Sequence, residues 1–315
     1  MIRPAARFFI PACVQVVIAL ATTRAADAGS LQPGDHVRTI RVDGRERRYL
    51  VHVPPRHDPV TPAALVLAFH GGGANARNMV VFSGLNEKSD QAGFIVAYPE
   101  GSGRLERMLT FNAGNCCGFA AEHGIDDVAF VRHLLADLEG VVEIDRRRIF
   151  ATGMSNGAMM AYRLASELAD RIAAIAPVGG PMGMESCRPC RAVSVMHFHG
   201  AADEFAPFGG GRGRGPSGTD FYSVEHSIAA WVHANACQTT PVTTRLPDRE
   251  KDGTTVKQVR YDSGKEGSEV VLIVVEGGGH TWPGQEPRMS FLGVSTRDIS
   301  ANDMMWEFFE RHPMR

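Results

Sequence analysis

The sequence has little net charge, no apolar run of the length typical for a membrane helix, and no low-complexity linker. Its 315 residues carry 35 acidic and 33 basic side chains, a formal net charge of −2. This balance gives no electrostatic basis for binding nucleic acid or an anionic membrane, so we expect neither as a partner. No internal repeat is present either. The hydrophobic content of 44% is ordinary for a globular protein.

The N-terminus has the features of a secretory signal. Arg3 and Arg7 precede an apolar run at residues 8–20, and small residues follow at 25–28. This order matches the three regions of a signal peptide, and the run is shorter than the roughly 20 residues that span a bilayer. We therefore predict a signal peptide at 1–28, a single mature domain at 29–315, and secretion to the periplasm or the extracellular space. The alternative is an uncleaved anchor helix.

Cysteine is scarce, and export predicts that it is oxidised. Removal of Cys13 with the signal leaves five cysteines, so one thiol remains free or bonds to another molecule. A trans peptide strains a bridge between neighbours, so we expect the adjacent pair to bond separate downstream partners. The C-x-x-C pair is predicted to be structural and too isolated for zinc, which takes four ligands. The five are Cys116, Cys117, Cys187, Cys190 and Cys237.

Short apolar runs alternate with amphipathic stretches along the chain. Strands that are apolar throughout are typical of parallel sheets covered on both faces. The sequence therefore predicts a single α/β domain with a mainly parallel sheet and helices on both faces. It also predicts a hairpin at 36–53 and one helix at 78–92. The predicted buried strands are residues 65–69, 94–98, 149–151, 172–178, 193–198 and 270–275.

A G-x-S-x-G motif, Gly153 to Gly157, lies between a predicted strand and a predicted helix. This context favours a nucleophilic serine at a tight turn, which Gly fits on either side of Ser155. The alternative, a helix N-cap, explains Ser155 but not both glycines. We predict Ser155 as the catalytic nucleophile.

A nucleophilic serine needs a histidine as base and a carboxylate to orient that histidine. When the serine follows a strand of a mainly parallel sheet, the carboxylate comes next along the chain and the histidine last. Asp203 directly follows the strand at 193–198, where a carboxylate faces the ligand crevice. Its neighbour Glu204 is the competing acid. His280 follows the strand at 270–275 within a glycine-rich loop. We predict Asp203 as the orienting acid and His280 as the base.

Two backbone N–H groups must stabilise the oxyanion. The first is expected from Asn156, directly after the nucleophile, at a helix N-terminus. The second is expected from Gly72, with Gly71 and Gly73 as alternatives. His197 and His199 have the spacing of a metal pair without a third ligand, so we predict packed or hydrogen-bonded histidines and neither metal nor cofactor.

Several of these motifs together resemble the secreted polyhydroxybutyrate depolymerase and feruloyl esterase family of serine esterases. The resemblance spans residues 34–313 and implies an α/β-hydrolase fold with Ser155, Asp203 and His280 as its triad. It also implies that the double-cysteine loop borders the active site, with Cys237 as the partner of one of that pair. The motifs are Phe69–Asn75, Phe111–Gly118, Asp126–Val128, Thr152–Gly157, His199–Asp203 and Gly277–Gly284.

The resemblance predicts hydrolysis of carboxylic esters through an acyl-enzyme, on a hydroxyalkanoate polyester or oligomer. The alternatives are a feruloyl or acetyl xylan esterase of plant cell-wall polysaccharide, a peptidase, and an exported binding protein on a degenerate hydrolase fold. Phe111, Phe205 and Trp282 are expected to form an aromatic substrate platform, or else to pack within loops. The loops at 111–118 and 205–218 should decide which ester fits. We expect no appended binding module, which favours soluble or oligomeric esters over crystalline polymer.

Overall fold

The fold is built on one ten-stranded mixed sheet. A computed structural model describes residues 30–287 and 289–315, so the predicted signal peptide at 1–28 lies outside the described residues. The strands are β1 (Gly34–Val42), β2 (Arg45–Val53), β3 (Ala63–Phe69), β4 (Ile95–Pro99), β5 (Ile144–Met154), β6 (Ala174–Val178), β7 (Ser194–Gly200), β8 (Gly211–Arg212), β9 (Asp220–Phe221), β10 (Val242–Arg245), β11 (Thr255–Tyr261) and β12 (Val270–Glu276).

The order of strands in the sheet is β1-β2-β4-β3-β5-β6-β7-β12-β11-β10, and β8 with β9 forms a separate small ribbon. The six central strands are mutually parallel: β4, β3, β5, β6, β7 and β12. The two strands at each edge are antiparallel. This arrangement brings the carboxyl ends of β3, β5, β7 and β12 to one edge of the sheet, where ligands bind in such folds.

Helices cover both faces of the sheet, as the apolar strands predict. Along β12, alternate residues enter two separate apolar cores, so both of its faces are buried. The helices α4, α5 and α6 cover one face, and α1, α2 and α7 cover the other. No helix among residues 30–287 and 289–315 is long and apolar enough to cross a membrane. The helices are α1 (Ala76–Ser83), α2 (Leu85–Ala92), α3 (Gly118–Glu122), α4 (Asp127–Glu139), α5 (Asn156–Glu167), α6 (Val224–Ala234) and α7 (Ala301–Arg311).

Several local predictions differ from the structure, and two of the differences have a clear physical reason. The helix predicted at 78–92 is two helices, because Gly84 takes a left-handed conformation with φ of 61° that ends α1 and begins α2. The edge strand Val242–Arg245 was not predicted. All four of its residues are exposed, so it lacks the apolar alternation that marks a half-buried strand.

The cysteine prediction is wrong. The sulfurs of Cys116 and Cys117 contact each other across a cis peptide bond, and no downstream cysteine of the described residues pairs with either. Cys237, expected to pair with one of them, is a free buried thiol whose sulfur contacts the Ser268 carbonyl. Cys187 and Cys190 are also free, and both lie in a loop as predicted.

Candidate active site

Ser155 occupies a sharp turn between β5 and α5. Its backbone has φ of 57° and ψ of −118°, a conformation that costs energy for a residue with a side chain and that is concentrated at functional sites. The Ser155 amide is fixed by a hydrogen bond to the Val178 carbonyl. Its side chain makes no capping hydrogen bond to α5. The N-cap interpretation therefore does not account for this serine.

Gly153 and Gly157 allow three segments of backbone to meet beneath the turn. A Cβ on Gly153 would lie 2.6 Å from the Gly157 carbonyl, and one on Gly157 would lie 2.2 Å from the Phe69 carbonyl. Neither backbone can move without shifting β3 against β5. The steric reason predicted for both glycines is therefore present in the structure.

Gly157→Ala is expected to lower the free energy of unfolding by about 3 kcal/mol or more, because the added methyl clashes with the Phe69 backbone. The matched control is Gly209→Ala, where a Cβ meets nothing within 4 Å and should change stability by less than about 1 kcal/mol. Urea denaturation of both variants measures the difference. Equal stability of the two variants would contradict the role assigned to Gly157.

Asp203 and His280 are hydrogen-bonded to each other, from loops after β7 and β12. His280 Nδ1 lies 2.6 Å from Asp203 Oδ2, and both residues are buried. The other carboxylate oxygen, Oδ1, accepts the backbone N–H groups of Phe205 and Ala206 at 2.8 and 2.9 Å. Within the described residues, His280 Nε2 has no hydrogen-bond partner. It is therefore the nitrogen available to take a proton.

Asp203 is held as a carboxylate. Burial by itself raises the pKa of Asp203, but His280, His199 and the Ala206 amide together outweigh burial and lower it below its ordinary value. The competing acid, Glu204, has a side chain that is 64% exposed and pairs with Arg214 at 2.5 Å. Only Asp203 of the two is placed beside the imidazole.

The loop after β3 lies against the N-terminus of α5. A Cβ on Gly72 would be 3.6 Å from the Asn156 Cβ, so the two predicted donors of the oxyanion hole are neighbours. The alternative donor Gly73 already donates its N–H to the Leu109 carbonyl at 2.9 Å. This bond removes Gly73 from the candidates and leaves Gly72 or Gly71.

His70 fixes the conformation of this loop. Its Nε2 accepts the Gly101 N–H at 3.0 Å, so the neutral ring carries its proton on Nδ1 and donates it to the Gly71 carbonyl at 2.8 Å. In a trans peptide the N–H points opposite to the C=O. Holding the Gly71 carbonyl therefore also fixes the direction of the Gly72 N–H.

Burial, with a smaller contribution from Arg47, lowers the pKa of His70 from 6.5 to about 4, although the hydrogen bond to Gly71 raises it. Between pH 6.5 and about pH 4, His70 binds a proton in the unfolded chain but not in the folded protein. The free energy of unfolding therefore falls as pH falls. We expect His70 to contribute a loss of about 2 kcal/mol in unfolding free energy between pH 7 and pH 5.

Denaturation of wild type and His70→Asn at both pH values isolates this loss, because the other histidines titrate in both proteins. Asparagine retains a donor for the Gly71 carbonyl but does not titrate. The same pH dependence in both proteins would contradict the assignment.

Two of the three residues predicted as an aromatic platform are buried in the core. Phe111 packs against Phe69 and His70, and its backbone N–H and C=O both bond the Asn156 side chain at 2.8 and 2.9 Å. Trp282 is 1% exposed and donates its indole N–H to Asn302. The prediction is therefore wrong for Phe111 and Trp282, because both rings pack within the protein. Of the three predicted residues, only Phe205 lines the cavity beside Ser155, and its ring stacks on the His280 ring.

Ser155, Asn156, Gly72 and His280 border one cavity of about 740 Å³. Among the described residues no Asp, Glu, Lys or Arg lines it, and the wall is mainly apolar. The loops at 111–118 and 205–218 both contribute to the wall, as predicted. Sequence analysis missed its other apolar residues, because a short apolar stretch does not show which of its side chains will face a cavity. They include Met79, Val81, Phe82, Met108, Phe221, Met289, Phe291 and Leu292.

The described residues contain no group of three or more His, Cys, Asp or Glu side chains arranged to hold a metal ion. His197 and His199, which have the spacing of a metal pair, are buried and hydrogen-bonded to each other at 2.9 Å. The predicted hydrogen-bonded role of this pair is confirmed.

Two solved structures share this fold. An acetyl xylan esterase from Aspergillus awamori superposes with a TM-score of 0.57 at 16% identity, covering 87% of this chain and 99% of that one. Native pOPH superposes with a TM-score of 0.56 at 16% identity, covering 92% and 90%. At these identities the likeness concerns the fold alone. The predicted α/β-hydrolase fold is confirmed.

Sequence relatives identify the family. Residues 48–210 match the family described as Esterase PHB depolymerase. The chain is 31% identical to the putative esterase NocK of Nocardia uniformis subsp. tsuyamanensis, over 86% of this chain and 81% of that protein. It is 27% identical to feruloyl esterase B of Piromyces equi, over 74% of this chain and 42% of that protein. The chain belongs to the Esterase PHB depolymerase family, and it is an enzyme that hydrolyses carboxylic esters.

Proposed function

We propose that Ser155 is the nucleophile of an acyl-enzyme mechanism, with His280 as base and Asp203 as the acid that orients it. The observation that carries this proposal is the buried Asp203–His280 hydrogen bond beside the cavity that exposes Ser155. Because Asp203 holds the Nδ1 proton, His280 Nε2 is an acceptor facing the cavity. The pair thus presents a base to a serine held in a strained turn.

In the first half-reaction Ser155 Oγ attacks the ester carbonyl carbon while His280 Nε2 takes the hydroxyl proton. The Asn156 and Gly72 N–H groups bind the resulting oxyanion. His280 then returns the proton to the alcohol oxygen as the C–O bond breaks, leaving an acyl-Ser155. Water repeats the sequence, with His280 as its base, and releases the carboxylic acid.

The substrate we propose is a hydroxyalkanoate polyester or its oligomers. Such a chain is uncharged and apolar between its ester groups, which suits a cavity without charged side chains among the described residues. Exposed apolar side chains also line the cavity, and they could contact the monomer units on either side of the ester that is cleaved. These are Val81, Met108, Met289 and Phe291.

A feruloyl ester of plant cell-wall polysaccharide is the second candidate. Phe205 stacks on His280 with ring centroids 5.4 Å apart and contacts Phe291. A cinnamoyl ring entering beside Ser155 would meet both aromatic faces. The relatives named feruloyl esterase favour the same candidate.

Parallel assays with hydroxybutyrate oligomers, methyl ferulate, acetylated xylan and a matched peptide amide distinguish these substrates. The proposal expects the highest kcat/KM for the oligomers, rising with the number of monomer units as the cavity mouth is occupied. A higher value for methyl ferulate or acetylated xylan would replace the polyester with a cell-wall substrate. Efficient amide cleavage would instead favour the peptidase alternative.

We also propose that the enzyme is exported. The order of basic, apolar and small residues in the predicted signal at 1–28 supports export. Mass spectrometry of protein from the periplasm or medium should give an N-terminus near residue 29. Recovery of the full chain in the cytosol would contradict export.

A further inference from the structure

A chain of buried hydrogen bonds runs from α5 to the loop that carries Asp203. The Tyr162 hydroxyl lies 2.9 Å from His197 Nδ1, and His197 Nε2 lies 2.9 Å from His199 Nδ1. His199 Nε2 reaches the Ala206 carbonyl at 2.7 Å. The side chains of Tyr162, His197 and His199 are fully or almost fully buried. None of them lines the cavity.

The direction of every proton in this chain follows from its last acceptor. The Ala206 carbonyl only accepts, so His199 carries its proton on Nε2 and accepts at Nδ1. His197 must then donate from Nε2 and accept the Tyr162 hydroxyl proton at Nδ1. Both rings are neutral, because burial lowers the pKa of His197 and of His199. One carbonyl thereby fixes two tautomers.

The end of the chain holds the segment that presents Asp203. The Ala206 carbonyl is bound by His199, and the Ala206 N–H donates to Asp203 Oδ1 at 2.9 Å. His199 Nε2 also lies 3.5 Å from Asp203 Oδ2, the oxygen that accepts from His280. His199 therefore holds Oδ1 through Ala206, and its ring also lies against Oδ2.

Burying three polar side chains costs free energy that apolar residues of similar size would not. His197 and His199 lie on β7 at i and i+2, the spacing that places both rings on one face of a strand. That strand ends three residues before Asp203, so the rings are a rigid support beneath its loop.

We propose that His199 is a positioning residue for Asp203, and that Tyr162 and His197 hold His199 in the tautomer this requires. The proposal rests on the proposed role of Asp203 as the acid of the triad. His199 does not touch substrate. It sets the position of the carboxylate, and through it the direction in which His280 faces Ser155.

A matched pair of variants tests the proposal. Glutamine extends its amide to about the position of Nε2 and retains a donor for the Ala206 carbonyl. The shorter asparagine places its amide near Nδ1 and loses that donor. We expect His199→Asn to lower kcat by on the order of ten-fold with KM unchanged, since small misplacements of catalytic groups cost this much or more. His199→Gln should restore kcat to within about threefold of wild type.

Tyr162→Phe is the milder variant, because it removes one hydroxyl and keeps the ring. It should lower kcat by a few fold and shift the downfield proton resonance of the His280–Asp203 hydrogen bond. Circular dichroism establishes that each variant is folded. A merely structural histidine would instead destabilise Asn and Gln variants alike and leave kcat and this resonance unchanged.

Equal kcat in wild type and a folded His199→Asn variant would overturn the proposal. So would equal losses of kcat in the Asn and Gln variants. If His199→Asn does not fold, an unchanged kcat and resonance in Tyr162→Phe would overturn it. The Asp203→Asn variant distinguishes these results from failure of the proposed triad. An inactive Asp203→Asn beside a fully active His199→Asn rejects the positioning role alone, whereas an active Asp203→Asn rejects the acid assignment itself.

Discussion

Ser155→Ala is expected to lower kcat for ester hydrolysis by about 10⁴-fold or more, because it removes the oxygen that attacks the substrate carbonyl in the first half-reaction. The fold should be retained. Alanine keeps the Cβ that already fits the turn at φ of 57°, and the serine side chain makes no capping hydrogen bond to lose. Stability should therefore change by no more than about 0.5 kcal/mol.

Initial rates on a soluble ester and urea denaturation measure the two halves of this prediction. A fluorophosphonate probe should label Ser155 in wild type and nothing in the variant. The control is Ser217→Ala, a serine that lines the same cavity and bonds Thr219; it should stay within a few fold of wild-type activity. Retained hydrolysis in Ser155→Ala, or labelling elsewhere, would reject the nucleophile.

The framework of the site could be predicted because it depends on local sequence and strand order. Strands buried on both faces are largely apolar, so β3, β12, most of β7 and the buried second half of β5 can be recognised in the sequence. Parallel strands bring their carboxyl ends to one edge, which predicts that Asp203 and His280 meet. The glycines on either side of Ser155 predict a tight turn, and the backbone contacts at Gly153 and Gly157 leave no room for a side chain.

Side-chain direction could not be predicted in the same way. Trp282 is two residues from His280 in sequence, yet its ring enters the apolar core while His280 faces the cavity. Phe111 lies in the loop that borders the site but packs inward on Phe69. Adjacency along a loop does not specify which residues face the substrate. Tertiary packing decides it, and the largest rings are those that gain most from burial.

The cavity itself depends on contacts between segments far apart in sequence. Val81 comes from α1, Met108 from the loop before α3, and Phe291 from the region after β12. Each lies in a short apolar stretch of its own segment, and nothing in that stretch shows which side chain will face the cavity. Only the fold brings them to the mouth of one cavity. The catalytic residues could thus be predicted from local sequence, whereas the residues that select the substrate could not.

Asp203→Asn is expected to lower kcat by about 10⁴-fold near neutral pH while leaving the cavity unchanged. The remaining amide oxygen would stay with the Phe205 and Ala206 N–H groups, which need an acceptor. The amide NH₂ would then face His280 Nδ1 and donate to it. His280 would carry its proton on Nε2 instead, and could no longer accept one from Ser155.

The matched control is Glu204→Gln, the neighbouring carboxylate that the sequence alone could not exclude. Glu204 is exposed and pairs with Arg214, and an exposed pair of this kind contributes little to stability or activity. Steady-state kinetics on both variants, with KM recorded separately from kcat, should show the loss only in Asp203→Asn and only in kcat. A comparable loss in Glu204→Gln would mean that the loop exchanges its acids during turnover. An active Asp203→Asn would mean that His280 takes the Ser155 proton without a carboxylate to orient it.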